Sequence, residues 1–125
     1  MAAVTVVEKI YGGRVPVRYC RSSGAGAADT EATLTTTRGV PCLLKRVHVH
    51  YSGAVTQAGV TVGVDSGLGT NYDHLLHTGA ADVVDTVYNP EGDGDLLSPG
   101  DEVVVVAPAG GATDVAYIQV LTEDL

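Results

Sequence analysis

The sequence predicts an all-β domain of antiparallel strands, a sandwich or barrel, and three observations carry that expectation. The first is composition: 21 Val and 10 Leu dominate the apolar residues, Tyr is the only aromatic type, and Phe and Trp are absent. Branched side chains with stiff χ1 angles fit pleated strands and mildly disfavour helices. The second is punctuation, because turn residues recur roughly every eight to twelve positions between short β-rich runs. The third is period-two alternation of apolar and polar residues in several of those runs. With 125 residues, the chain forms one domain that buries roughly two thirds of the surface its unfolded form exposes. Residues 1–13 read as an extended N-terminal arm and residues 14–125 as a single β-sandwich domain.

Nine runs read as strands, at 4–11, 15–19, 32–37, 43–51, 55–64, 72–78, 83–88, 102–107 and 115–121, and about eight are expected in the finished sandwich. Pro16 falls inside the second run, which suits an edge strand or a strand start, where a missing N–H costs no ladder bond. In 43–51, Leu43, Val47, Val49 and Tyr51 share one face, while Leu44, Arg46, His48 and His50 share the other. Lys45 breaks that pattern, so it either reaches water along its alkyl stem or marks a bulge that shifts the register. In 55–64, Ala58, Val60, Val62 and Val64 face one way, opposite Gly59, Thr61 and Gly63. Those glycines thin the outer face, as a close backbone approach or a bend requires. Val103, Val104, Val105 and Val106 are consecutive, so both faces of their strand are expected to be covered, by loops or by a second subunit. The segment 22–30 (SSGAGAADT) lacks periodicity and reads as a loop.

Charge is divided along the chain. All seven basic residues (Lys9, Arg14, Arg18, Arg21, Arg38, Lys45, Arg46) lie in the first 46 positions with three acids, and the remaining 79 positions carry twelve acids and no base. The two segments sum to +4 and −12, within a net charge of −8. Such asymmetry points to a surface that meets a partner. The acidic balance argues against direct nucleic-acid binding, which needs clustered Lys and Arg to displace counterions. Residues 1–8 show no signal-peptide pattern, and no apolar run approaches the roughly 18 residues needed to cross a bilayer, so no membrane is expected. Cys20 and Cys42 are too few for a disulfide scaffold, and whether they bridge is left open.

Four motifs invite a chemical reading. His48 and His50 share a strand face and, with His74 and His77, form a metal-like constellation, but no glutamate follows in Tyr51–Ser52–Gly53–Ala54 to complete a cupin-type set. Glu91, Asp93 and Asp95, with Glu102 beyond, echo a calcium loop, yet Leu96 stands where the sharp turn demands Gly, which excludes a calcium-binding helix–loop–helix and leaves open whether the acidic loop 91–95 binds a cation at the surface. Ser66 is one residue out of step with a nucleophile elbow. Gly24, Gly26, Gly110 and Gly111 lack the strand–loop–helix context of phosphate-binding loops. No catalytic residue, metal or cofactor is therefore expected, and the chain reads as a non-enzyme.

The stretch Asp65–Ser66–Gly67–Leu68–Gly69–Thr70–Asn71–Tyr72–Asp73–His74–Leu75–Leu76 resembles small all-β virion proteins of tailed bacteriophages. So do Asn89–Pro90, the turn Leu97–Ser98–Pro99–Gly100–Asp101–Glu102 before a valine strand, and the closing strand with Ala116, Tyr117, Ile118, Gln119 and Val120. The likeness covers roughly residues 43–125. It implies a jelly-roll-like sandwich that decorates or cements a capsid, commonly as a homotrimer. The expected partners are the major capsid protein and other copies of the chain, on the capsid surface of a virion assembled in the host cytoplasm. On that reading Arg14, Arg18 and Arg21 contact an acidic capsid face, and Val103, Val104, Val105 and Val106 form the subunit interface. The alternatives are a carbohydrate- or receptor-binding module of a tail or fibre, with Tyr11, Tyr19, Tyr51, Tyr72, Tyr88 and Tyr117 as its only aromatic platforms, or a head–tail or neck structural protein.

Overall fold

Alternating burial organises the molecule. A computed structural model describes residues 5–11, 17–25, 29–35, 41–111 and 114–125. These contain ten strands: β1 (Thr5–Tyr11), β2 (Val17–Ala25), β3 (Thr30–Thr35), β4 (Cys42–Tyr51), β5 (Thr61–Asp65), β6 (His74–Thr78), β7 (Asp85–Tyr88), β8 (Asp95–Leu97), β9 (Glu102–Ala107) and β10 (Val115–Asp124). A 3-10 turn at Thr70–Tyr72 is the one helical element among the described residues, where no helix is long and apolar enough to cross a membrane. The class is all-β, as composition and alternation predict.

The strands form two antiparallel sheets, one ordered β1-β2-β10-β4-β7 with β8 also paired to β4, the other ordered β3-β9-β5-β6. Successive strands repeatedly change sheet, as in β2 to β3 to β4 to β5, and this exchange makes the sandwich jelly-roll-like. The core lies between the sheets. Ala32, Val60, Val62, Val103, Val105 and Ala107 come from the smaller sheet and its approach, and Leu44, Val47, Val49, Tyr51, Ile118 and Val120 from the larger. Residues 1–13, read as an extended arm, contribute β1, which is extended and pairs with β2 at the edge of the larger sheet.

The break in alternation at Lys45 is a bulge. Leu121 pairs with Arg46 and Thr122 with Leu44, so Lys45 is the extra residue, and the slip turns Leu44 and Cys42 into the core while Leu43 moves to the outer face. The strand expected over 55–64 shortens to β5. Gly59 adopts φ 117, which ends pairing before residue 60. Gln57, buried in this segment, receives the Gly59 N–H and donates through Nε2 to the Ala80 and Val83 carbonyls at 3.2 and 3.3 Å, while its own N–H bonds Asp82 Oδ1 at 2.9 Å. That segment serves as a hydrogen-bonded staple to the loop before β7.

The loop expected over 22–30 is also corrected, since residues 22–25 continue β2 between β1 and β10. Small residues give no periodic signal, yet their backbone completes two ladders. Strand β8, hidden in an acid-rich turn, raises the count to ten. Cys20 stands opposite Val120 in β10 and Cys42 opposite Asp124. The two cysteines thus sit two strands and four residues apart across β10, beyond the roughly 7 Å Cα separation a disulfide spans.

Candidate interaction surface

The loop between β5 and β6 carries the strongest departure from a passive surface. Five local hydrogen bonds close it. Ser66 N–H donates to Asp73 Oδ1 at 2.9 Å and Leu68 N–H to Ser66 Oγ at 3.1 Å. Backbone bonds run from Gly69 to Ser66, Tyr72 to Gly69 and Asp73 to Thr70, at 3.5, 3.0 and 3.2 Å. Polar groups thus satisfy one another inside the loop, and its large apolar side chains turn outward. Leu68 is 78% exposed and Tyr72 66%, and Leu75 at the start of β6 is 60% exposed.

The apolar character continues onto the outer face of the smaller sheet. Leu75 pairs with Gly63, Gly63 with Val104, and Val104 with Thr33, so one row of positions crosses all four strands. Gly63 leaves that row without a side chain, and a shallow hollow of about 370 Å³ opens between Leu75 and Val104, bordered by Asp65, Asp73 and His74. The Asp65 carboxyl is raised above its ordinary value, chiefly by the charge of Asp73 beside it, then by desolvation and their shared hydrogen bond. Sequence reasoning singled out Tyr72 and Val104 but gave Leu68 and Leu75 no role of their own, because turn chemistry dominates their segment. Large apolar side chains inside a Gly-rich stretch were the available signal.

The valine run divides between two faces. Val103 and Val105 have no exposed surface and belong to the core, whereas Val104 and Val106 are half-buried on the outer face. Only the latter two are available for contact with another molecule. Arg14 lies outside the described residues. On β2, Arg18 pairs with Thr122 and Arg21 with Gln119 of β10.

The four histidines are not brought together. His48 and His50 lie on the outer face of the larger sheet, where Nε2 of one and Nδ1 of the other sit 2.9 and 2.8 Å from the same Asp85 Oδ1. The His50 ring also stacks near Tyr117, with centroids 6.4 Å apart. His74 and His77 lie on β6 in the other sheet. Among the described residues, no group of three His, Cys, Asp or Glu side chains is arranged to hold a metal ion. In the acidic turn, Lys45 Nζ donates to the Asp93 carbonyl at 2.5 Å, and Asp95 accepts from Tyr88 Oη at 2.5 Å. Ser66 is engaged within its loop as described above.

No family model matches the chain, and no curated protein does. Among solved structures it is similar to a cupin domain from Bordetella pertussis Tohama I, at 11% identity and a TM-score of 0.34, covering 100% of this chain and 98% of that one. It is also similar to a chain described as "CBM4 structure and function", at 13% identity and a TM-score of 0.24, covering 89% and 84%. At those scores neither likeness carries a function to this chain.

Proposed function

We propose that this chain is a non-enzymatic structural protein of the virion-decoration type, which adheres as a homotrimer to the outside of a capsid between capsomers. The observation that supports this reading is the exposed, internally bonded loop of Leu68 and Tyr72, continuous in sequence with exposed Leu75. The same stretch carries the resemblance to phage virion proteins. Full burial of each such side chain contributes about 1.5–3 kcal/mol, and a loop already closed by its own hydrogen bonds loses little further entropy on docking. Three copies in a trimer multiply the effect through effective concentration. In this arrangement Arg14, Arg18 and Arg21 supply a second, charge-based contact to an acidic capsid face, and Val104 with Val106 contributes to packing between copies.

Co-sedimentation with empty shells assembled from a tailed-phage major capsid protein tests the reading. The double variant Leu68→Asp, Tyr72→Asp is expected to keep its fold, because both side chains are exposed, and to lose attachment. Unchanged occupancy of the shells by that variant overturns the proposal.

A further inference from the structure

A second concavity lies at the open side of the sandwich, where β6 at the edge of the smaller sheet faces β7 and β8 of the larger one. Its volume is about 620 Å³, within the range of roughly 300–1,000 Å³ typical of small-molecule sites. One wall is aromatic. The His77 imidazole stacks on the Tyr88 ring with centroids 5.1 Å apart and planes 24° from parallel. Strand β6 achieves this by a bulge: Leu75 pairs with Gly63 and His77 with Val62, leaving Leu76 as the extra residue. Leu76 packs against the core, and His77 is re-aimed toward Tyr88.

The opposite wall is a set of hydrogen-bonding groups. Tyr88 Oη donates to Asp95 Oδ2 at 2.5 Å, which fixes the orientation of that carboxylate. Burial and the Asp95 bond push the Tyr88 phenol up to about 12, so it remains a donor at neutral pH. Glu91 and Asn89 complete this side, and both are exposed at the rim with Val87.

The lining selects among ligand classes. Among the described residues it contains two carboxylates and no Lys or Arg, so phosphate, sulfate, uronic or sialic acid groups would meet like charge. Among the described residues no group of three His, Cys, Asp or Glu side chains is arranged here to hold a metal ion. A sugar ring fits on both counts. Its hydroxyls are donors to carboxylate oxygens and partners for an amide, and its C–H face is apolar enough for Leu76, Val87 or an aromatic ring. We propose that the cavity bounded by His77, Tyr88, Asn89, Glu91 and Asp95 binds a neutral or amino-sugar residue of a glycan.

Saturation-transfer NMR on the isolated chain tests this independently of any shell. The probes are glucose, galactose, mannose, N-acetylglucosamine and glucosamine, with glucuronic acid as the charged control and EDTA present throughout. The expected result is transfer to at least one neutral or amino sugar, with amide shifts changing at His77, Tyr88 and Asn89. Glu91→Gln and Asn89→Ala, at positions whose side chains are not part of the core, are each expected to weaken that binding about tenfold. Absence of transfer from every neutral and amino sugar overturns the proposal. So does equal transfer from glucuronic acid, or a shift map centred on Tyr72 or Tyr117.

Discussion

Asp85 Oδ1 lies 2.8 Å from His50 Nδ1 across the β4–β7 pair, and the same oxygen also meets His48 Nε2 at 2.9 Å. One carboxylate thereby ties two imidazoles to the outer face of the larger sheet. These hydrogen bonds, to His48 first and His50 second, hold the Asp85 carboxyl below its ordinary value of 3.8. A depressed carboxylate adds stability that is complete above the unfolded-state value and disappears as pH falls through the folded-state value. Asp85→Asn is therefore expected to lower the thermal midpoint at neutral pH, and the two proteins should converge in acid below the usual carboxylate range. Thermal melts of both across that interval check it; a difference that persists undiminished in acid contradicts the linkage.

The opposite sign applies to Asp65. Its carboxyl is raised by Asp73, so ionising it opposes the folded state, and that penalty is present at neutral pH and relieved as pH falls. Asp73→Asn keeps an oxygen for the Ser66 N–H and removes the repelling charge. The variant is expected to melt at a higher temperature than the parent near neutral pH, with the gain vanishing in acid. A lower midpoint at neutral pH would show that the carboxylate charge holds the loop closed.

Adjacent valines on β9 should behave as different kinds of residue. Val105→Ala removes side-chain volume from the core between the sheets and is expected to cost about 1.5–3 kcal/mol of unfolding free energy. Val104→Ala, on the half-buried outer face, is expected to cost about 1 kcal/mol or less. If the outer face meets another copy, Val104→Asp lowers the association state and Val105→Ala does not. Urea denaturation together with light scattering separates the two effects.

The sequence was informative wherever β-branched runs met clear turn signals. Glu102–Ala107 falls at the boundaries its valine run and turn spacing predict, although its faces do not alternate in sequence, and in Val115–Asp124 only the C-terminal end extends further, with Ala116, Ile118 and Val120 buried in turn. It was informative even at a defect, because the misplaced Lys45 signals the β4 bulge. Legibility failed where backbone geometry, not side-chain pattern, decides the outcome. The positive φ at Gly59 cuts an otherwise well-patterned run, and Ser22, Ser23 and Gly24 form strand without an apolar period. The candidate surfaces were least legible. Leu68 and Tyr72 matter because their loop satisfies its own polar groups, and His77 meets Tyr88 only because an unpatterned bulge turns it.

The acidic turn offers a sharp contrast between two glycines with left-handed backbones. Gly92 has φ 64 with nothing within 4 Å of where a Cβ would stand, whereas Gly94 has φ 127 and its Cβ would lie 2.5 Å from the Leu44 carbonyl oxygen. Gly92→Ala is expected to cost about 1 kcal/mol, the conformational penalty alone. At Gly94 the same substitution adds a clash with the backbone of β4, and about 2–3 kcal/mol is expected. The clash can be relieved only by moving the turn away from β4, which carries Asp95 away from its pairing with Leu44 and loosens its grip on Tyr88. Gly94→Ala should therefore lower stability and, at temperatures where the variant remains folded, weaken sugar binding, while Gly92→Ala leaves binding unchanged. Denaturation curves and sugar titrations on both variants test that coupling, and equal binding by the two would place the ligand elsewhere.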